Sequence, residues 1–205
     1  SVEVEAMGLE EVRAAIKDAR SIRTPRGIEE DLTVEIGGIP QALTVRGRDQ
    51  RNPILLFIHG GPGVTEMPVS WFYQNPLEDY FTVVQWDQRG SGKTAALNPD
   101  FDPASLTAER MYQDGEEVVD YLRERYGKEK IFVLGHSWGS VIGLELALRK
   151  PEALHAYIGM GQVIHMQSNE AVGYRFALEQ ARARGNEEAI AALEALDPYP
   201  NPDGA

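Results

Sequence analysis

The stretch FVLGHSWGSVIGLELAL, residues 132–148, holds Ser137 between Gly135 and Gly139, at the junction of two apolar runs. The first run, KIFVLGH (130–136), is short and β-branched, as a buried strand is. The second reads as a helix that stops at Lys150-Pro151. A serine on a sharp strand-to-helix turn needs glycines on both sides, and the turn lifts its hydroxyl over the sheet edge at a helix N-terminus, where negative charge is favoured. Ser137 is therefore the candidate nucleophile, with Gly135, His136 and Gly139 as its supporting motif. The bland alternative is a loop serine that merely happens to be bracketed by glycines, and the strand before it and helix after it weigh against that.

Working outward, three more segments are uninterrupted apolar runs: ILLFIHG (54–60), YFTVVQWD (80–87) and LHAYIGMG (154–161). Runs of this kind predict strands buried on both faces, as in a parallel sheet covered by helices. LTAERMYQDGEEVVDYLRERYG (106–127) puts Met111, Val118, Val119 and Leu122 on one helical stripe, with Thr107 as N-cap and Gly127 as terminator. Upstream, DLTVEIGGIPQALTVRG (31–47) alternates apolar and polar residues around Gly37-Gly38, which predicts a hairpin with a two-residue turn. Pro40 suggests an edge strand. A hairpin followed by β-α repeats gives an α/β fold with a mostly parallel, doubly wound sheet. The expected divisions are an N-terminal helix or arm (1–27), with Leu9, Val12 and Ile16 as its packing stripe, a core (28–166), and two helices with a proline-rich tail (167–205).

His59-Gly60-Gly61-Pro62-Gly63 closes the first buried run. A tetrahedral acyl-transfer intermediate needs fixed backbone N–H donors; this turn can supply one, from Gly61, and the residue after the nucleophile, Trp138, supplies the other. His59 reads as a brace for the loop and not as a proton shuttle. Gly92-Lys93-Thr94 imitates the end of a phosphate-binding loop, but that motif requires glycine where Asp87 stands, and a carboxylate there repels phosphate. Asp87 and Arg89 read instead as residues that order neighbouring backbone through ionic hydrogen bonds. Trp71, Phe72 and Tyr73 read as core, with an acyl-pocket lining as the alternative.

The composition sets outer limits. The 205 residues carry a formal charge of −12, 42% hydrophobic residues, 25% charged residues and no cysteine. Such a balance speaks against a nucleic-acid partner, and no apolar run is long enough for a membrane span. Lack of cysteine removes disulfides, thiolate metal sites and a thiol nucleophile, and fits a reducing compartment such as the cytoplasm, with secretion or a periplasmic location left open. No signal peptide is visible, and the start at Ser1 leaves a removed leader open. Neither a cofactor nor a metal is called for.

Taken together, HGGPG (59–63), DQRGSGK (87–93) and GHSWGS (135–140) resemble the α/β hydrolases, and among them the proline iminopeptidase-like serine hydrolases, over roughly residues 28–165. The resemblance implies an eight-stranded sheet of which about six strands are present here, a helical cap beginning near residue 167, Ser137 as nucleophile, and Gly61 and Trp138 as oxyanion donors. It also implies a small peptide or amide substrate with a free amine, for which Glu170 and Glu179 are unassigned partners. Many members with iminopeptidase activity have glycine at the position of His136, so the departure bears on the peptidase assignment more than on the hydrolase assignment.

In this fold the acid and the histidine of the triad follow the serine along the chain. His155 lies near the wrong end of its strand, and His165 reads as an ordinary loop histidine. Asp87 and Asp114 precede the nucleophile. The expectation is that these residues form the N-terminal part of a longer enzyme and that a complementary C-terminal polypeptide carries the triad Asp and His. Three functions are carried forward: a serine aminopeptidase or amidase working through an acyl-enzyme, a carboxylesterase or lactonase on the same machinery, and a catalytically silent binding module. Aspartate-nucleophile enzymes such as epoxide hydrolases and dehalogenases are disfavoured by the serine at the elbow.

Overall fold

A computed structural model describes residues 8–200, which divide into two compact units, one ending at Gln162 and one starting at Val163. In the first unit, helix α1 (Leu9–Ala19) precedes a six-stranded sheet of β1 (Ile28–Ile36), β2 (Ile39–Gly47), β3 (Ile54–Ile58), β4 (Thr82–Asp87), β5 (Ile131–His136) and β6 (Leu154–Met160). The spatial order is β1-β2-β4-β3-β5-β6. Strands β1 and β2 are antiparallel to each other, β2 is antiparallel to β4, and the remaining pairs are parallel. Helices α2 (Ser70–Tyr73), α3 (Gly92–Leu97), α4 (Ala108–Tyr126) and α5 (Trp138–Arg149) make the connections.

Alternation of side chains along each strand decides what covers the sheet. Ile54, Leu56 and Ile58 of β3 point with Ile131 and Val133 of β5 into a core closed by Val118, Val119 and Leu122 of α4 and Ile142 and Leu146 of α5. Leu55 and Phe57 of β3 are equally buried, and Phe57 meets the Tyr73 ring of α2 at 5.9 Å. Both faces of β3 and β4 are thus out of water, as their unbroken apolar runs predict. Helix α4 starts where Thr107 accepts the Arg110 N–H and stops at Gly127, whose φ of 61° suits glycine.

Four expectations need correction. Pro40 does not lie on an edge strand: β2 has neighbours on both sides, yet its ladder with β4 begins only at Ala42, so proline's missing N–H costs no bond on that side. Strand β6 is not buried on both faces: it is the outer strand, next to β5, and Leu154 alone of its residues is buried. No residue of α1 is buried, so its apolar stripe is not a packing stripe, and Leu9 is 66% exposed. Phe72 is 80% exposed and Trp71 also stands out in solvent, so of the three aromatic residues only Tyr73 packs inward.

The second unit consists of α6 (Met166–Ala183) and α7 (Glu187–Glu194). Tyr174 donates to the Leu193 carbonyl at 3.2 Å, and Arg182 pairs with Glu194, which ties the two helices together. No described helix is long and apolar enough to cross a membrane.

Candidate active site

The turn between β5 and α5 places Ser137 at φ 51° and ψ −118°, the one described non-glycine residue with positive φ. An L-residue held there is strained, and it persists because the surroundings over-determine it. Three contacts do this. The Ser137 N–H donates to the Met160 carbonyl at 2.9 Å, at the end of β6, and the Ser137 carbonyl accepts from the N–H and the hydroxyl of Ser140. The flanking glycines supply the third. A Cβ at Gly135 would lie 2.3 Å from the Gly139 carbonyl oxygen, and one at Gly139 would lie 2.1 Å from that of Ile58. The motif glycines are required by close backbone approach on both sides of the turn.

The 59–63 turn lies directly on this elbow. A Cβ at Gly60 would be 2.9 Å from the His136 carbonyl oxygen and 3.0 Å from Ser137 Cβ. Gly61, before Pro62, has φ 118°, and Gly63 has φ 86°. Trp138 is the first residue of α5, so its N–H has no acceptor within the helix. The corner thus brings Gly60, His136 and Ser137 together, with Gly61 and Trp138 next in the chain.

His59 is buried beneath this corner. Its Nδ1 is 3.0 Å from the Gly60 carbonyl, and its Nε2 accepts the Gln88 N–H at 3.2 Å with the Ser91 hydroxyl also at 3.2 Å. That arrangement fits the neutral ring with its proton on Nδ1. Burial lowers the His59 pKa, outweighing the Gly60 carbonyl and the carboxylates of Asp87 and Glu66, which raise it. Gln88 returns a bond from its side chain to the His59 carbonyl at 2.8 Å.

Asp87, at the end of β4, accepts the Lys93 N–H at 2.7 Å and a hydroxyl bond from Thr65. A Cβ at Gly92 would lie 2.1 Å from its Oδ2, so the carboxylate fills the space a phosphate would need. Arg89 is buried against Asp114, with contacts of 2.8 and 3.0 Å, and donates to the Gly37 carbonyl of the hairpin turn. Asp114 also accepts from Gln41 and Arg110.

Among the described residues, no histidine is hydrogen-bonded to the Ser137 hydroxyl. His59 is engaged as above. His155 stacks on Phe132 at 5.0 Å near the start of β6, whereas the level of Ser137 is that of Met160 at its end. His165 belongs to the second unit, where its Nδ1 caps α6 by accepting the Ser168 N–H. His136 Nδ1 is buried without a hydrogen-bond partner and lies 3.7 Å from the Glu66 carboxylate. Glu66 and Thr65 escaped sequence reasoning here, and Gln88 and Ser91, though inside the DQRGSGK motif, gave no sign of their partner His59; none belongs to a periodic pattern, and only the tertiary fold brings them to the strand ends. A cleft of about 1020 Å³, lined by Arg20, Arg46, Thr65, Asp87 and Lys93 among others, borders the Asp87 loop, and Ser137 is not part of its wall. No group of three potential metal ligands exists among the described residues.

The chain is similar to known proteins. A probable aminopeptidase of Bacillus subtilis is 36% identical over 151 residues, covering 74% of this chain and 47% of that protein. The proline iminopeptidase of Neisseria meningitidis is 32% identical over 107 residues, covering 52% and 32%. Of solved structures, a proline iminopeptidase-related protein from Thermus thermophilus superposes with a TM-score of 0.58 at 28% identity, over 82% of this chain and 56% of that one. An epoxide hydrolase from Vigna radiata gives 0.51 at 30% identity, over 64% and 38%. The chain spans about half the length of the Bacillus relative. The family model described as alpha/beta hydrolase fold matches residues 53–191, which include the 59–63 turn, the Asp87 loop and the Ser137 elbow, and the chain belongs to that family.

Proposed function

We propose that this chain supplies the nucleophile and the oxyanion donors of a serine hydrolase that works through an acyl-enzyme, acting on small peptides or amides with a free N-terminal amine. The observation that carries the reading is the strained Ser137, held at φ 51° at the N-terminus of α5 with the 59–63 turn against it. In this reading the Ser137 hydroxyl attacks the substrate carbonyl, its proton passes to a histidine base, and the N–H groups of Gly61 and Trp138 receive the oxyanion. Collapse of the tetrahedral intermediate breaks the C–N bond as the histidine returns that proton to the departing amine, leaving an ester on Ser137 that water hydrolyses to the acid and the free serine hydroxyl. His59, Gly60, Pro62, Gly63, Asp87 and Arg89 hold the loops that carry these groups, while Gly135, His136 and Gly139 shape the elbow.

No described residue is assigned as the base or the acid, since among the described residues no histidine is hydrogen-bonded to the Ser137 hydroxyl. The helices α6 and α7 fit the beginning of a cap. The names of the aminopeptidase relatives favour amide substrates, and a serine at the elbow distinguishes this chain from hydrolases with a carboxylate nucleophile.

The test is a serine-directed fluorophosphonate probe on the full-length protein, followed by proline and alanine anilides against short nitrophenyl esters. Labelling that maps to Ser137 and disappears in Ser137→Ala, with anilide turnover, is the expected result. Ester turnover without anilide turnover would replace the aminopeptidase reading by the esterase one, and no labelling would leave a binding module.

A further inference from the structure

Glu66 lies three residues beyond Gly63, on the loop that leaves the 59–63 turn. Its neighbour Thr65 turns to Asp87, while the Glu66 carboxylate turns towards the elbow. One carboxylate oxygen is 3.7 Å from His136 Nδ1, and the other is 3.4 Å from the Tyr73 hydroxyl. Both separations are longer than a carboxylate makes with a good donor, about 2.7–2.9 Å for a charged one. The Tyr73 oxygen accepts the Gln85 amide at 3.2 Å, and its O–H is the donor that faces Glu66. Burial, with the Glu66 charge as a second cause, pushes the Tyr73 phenol well above its ordinary pKa. The Glu66 side chain is only 18% exposed, and among the described residues no lysine or arginine pairs with it.

A carboxylate left this poorly satisfied, beside the residue that precedes the nucleophile, works against an acyl-transfer mechanism. Negative charge develops on the substrate oxygen as Ser137 attacks, and a nearby fixed anion raises the energy of that state unless a cation offsets it. Among the described residues, His136 is the one group able to become a cation that lies against Glu66, and its Nδ1 is buried and unbonded at a distance that makes no hydrogen bond. An ammonium group on the substrate would meet both needs: it offers the carboxylate the short, charge-assisted bonds it lacks, and it offsets the anion beside the reacting carbonyl.

We propose that Glu66 is a specificity-determining residue that receives the free α-ammonium group of the substrate, with the Tyr73 hydroxyl holding the carboxylate in place. This rests on the aminopeptidase reading and adds a named residue to it. It places amine recognition on the loop that follows the 59–63 turn, beside His136.

The experiment compares two substrates on the full-length protein: alanine nitroanilide, which carries the ammonium, and nitrophenyl acetate, which does not. The quantity read is the ratio of their kcat/KM values in wild type, Glu66→Gln and Glu66→Asp, each checked for a wild-type thermal melt. Loss of one charge-assisted bond predicts that the ratio falls by roughly tenfold or more in Glu66→Gln, chiefly through the anilide KM, and that Glu66→Asp regains part of it. An unchanged ratio in Glu66→Gln, with wild-type anilide turnover intact, would overturn the assignment of Glu66 and leave the aminopeptidase reading standing. Wild type that cleaves the ester and not the anilide would remove both.

Discussion

Gly139, the second residue of α5, faces the carbonyl of Ile58 at the end of β3 so closely that a Cβ on it would lie 2.1 Å from the oxygen. This contact seats the nucleophile helix on the central strand, and a methyl group there must move backbone and not a flexible side chain. Gly139→Ala is therefore expected to cost about 3 kcal/mol or more. Chemical denaturation checks it; a loss below about 1 kcal/mol would show that the helix can slide without penalty.

Strain at Ser137 gives a prediction of opposite sign. Glycine accepts positive φ without the Cβ clash that serine suffers, so Ser137→Gly is expected to stabilise the fold by about 1 kcal/mol, the relieved strain exceeding glycine's extra freedom when unfolded. Ser137→Ala keeps the Cβ and should gain nothing. Comparing the two melts separates backbone strain from the loss of the hydroxyl, and equal stabilities would mean that the turn is not strained.

The Ser137 elbow is legible in sequence because each of its requirements is local: two glycines, an apolar strand before, a helical run after. The same holds for the Gly37-Gly38 hairpin and for the Gly127 stop. Exposure is less legible. LHAYIGMG reads as a buried strand, since periodicity carries no information about whether a strand has one neighbour or two, and β6 has one. Trp71 and Phe72 mislead for a related reason: residue type sets the transfer free energy, but the loop's path decides whether burial occurs. Glu66 leaves no trace in the pattern, and Gln88 stands in the quoted DQRGSGK motif without its partner being evident, because the approach of Glu66 to His136 and the bonds of Gln88 to His59, across 29 residues, exist only once the strand ends are assembled.

Asp114 is the hub of a buried ionic cluster, accepting from Arg89, Gln41 and Arg110. Arg89 and Asp114 are almost wholly out of water, with side-chain exposures of 4% and 1%. Removal of one partner leaves the other's charge buried and unpaired, so Asp114→Ala is expected to lose about 3–5 kcal/mol. Exposed pairs such as Arg13–Glu10 contribute little by comparison. A double substitution of Arg89 and Asp114 by apolar residues, measured by denaturation, should lose less than the single one; a larger loss would mean that the Arg89 bond to the Gly37 carbonyl is the essential part.

His59 makes stability depend on pH. Its folded-state pKa is lowered, by burial above all, so below the unfolded value near 6.5 the unfolded chain binds more protons than the native one. Stability from the neutral ring is thus fully present above pH 6.5 and is lost as pH falls from there toward the folded-state value, by up to about 1.4 kcal/mol per pH unit. Protonation would also replace the acceptor at Nε2 by a donor facing the Gln88 N–H. Urea unfolding of wild type and His59→Gln between pH 8 and pH 5 tests this. The variant should be less stable at pH 8 but show a shallower decline below 6.5, whereas parallel curves would mean that His59 is not the group linking protons to the fold.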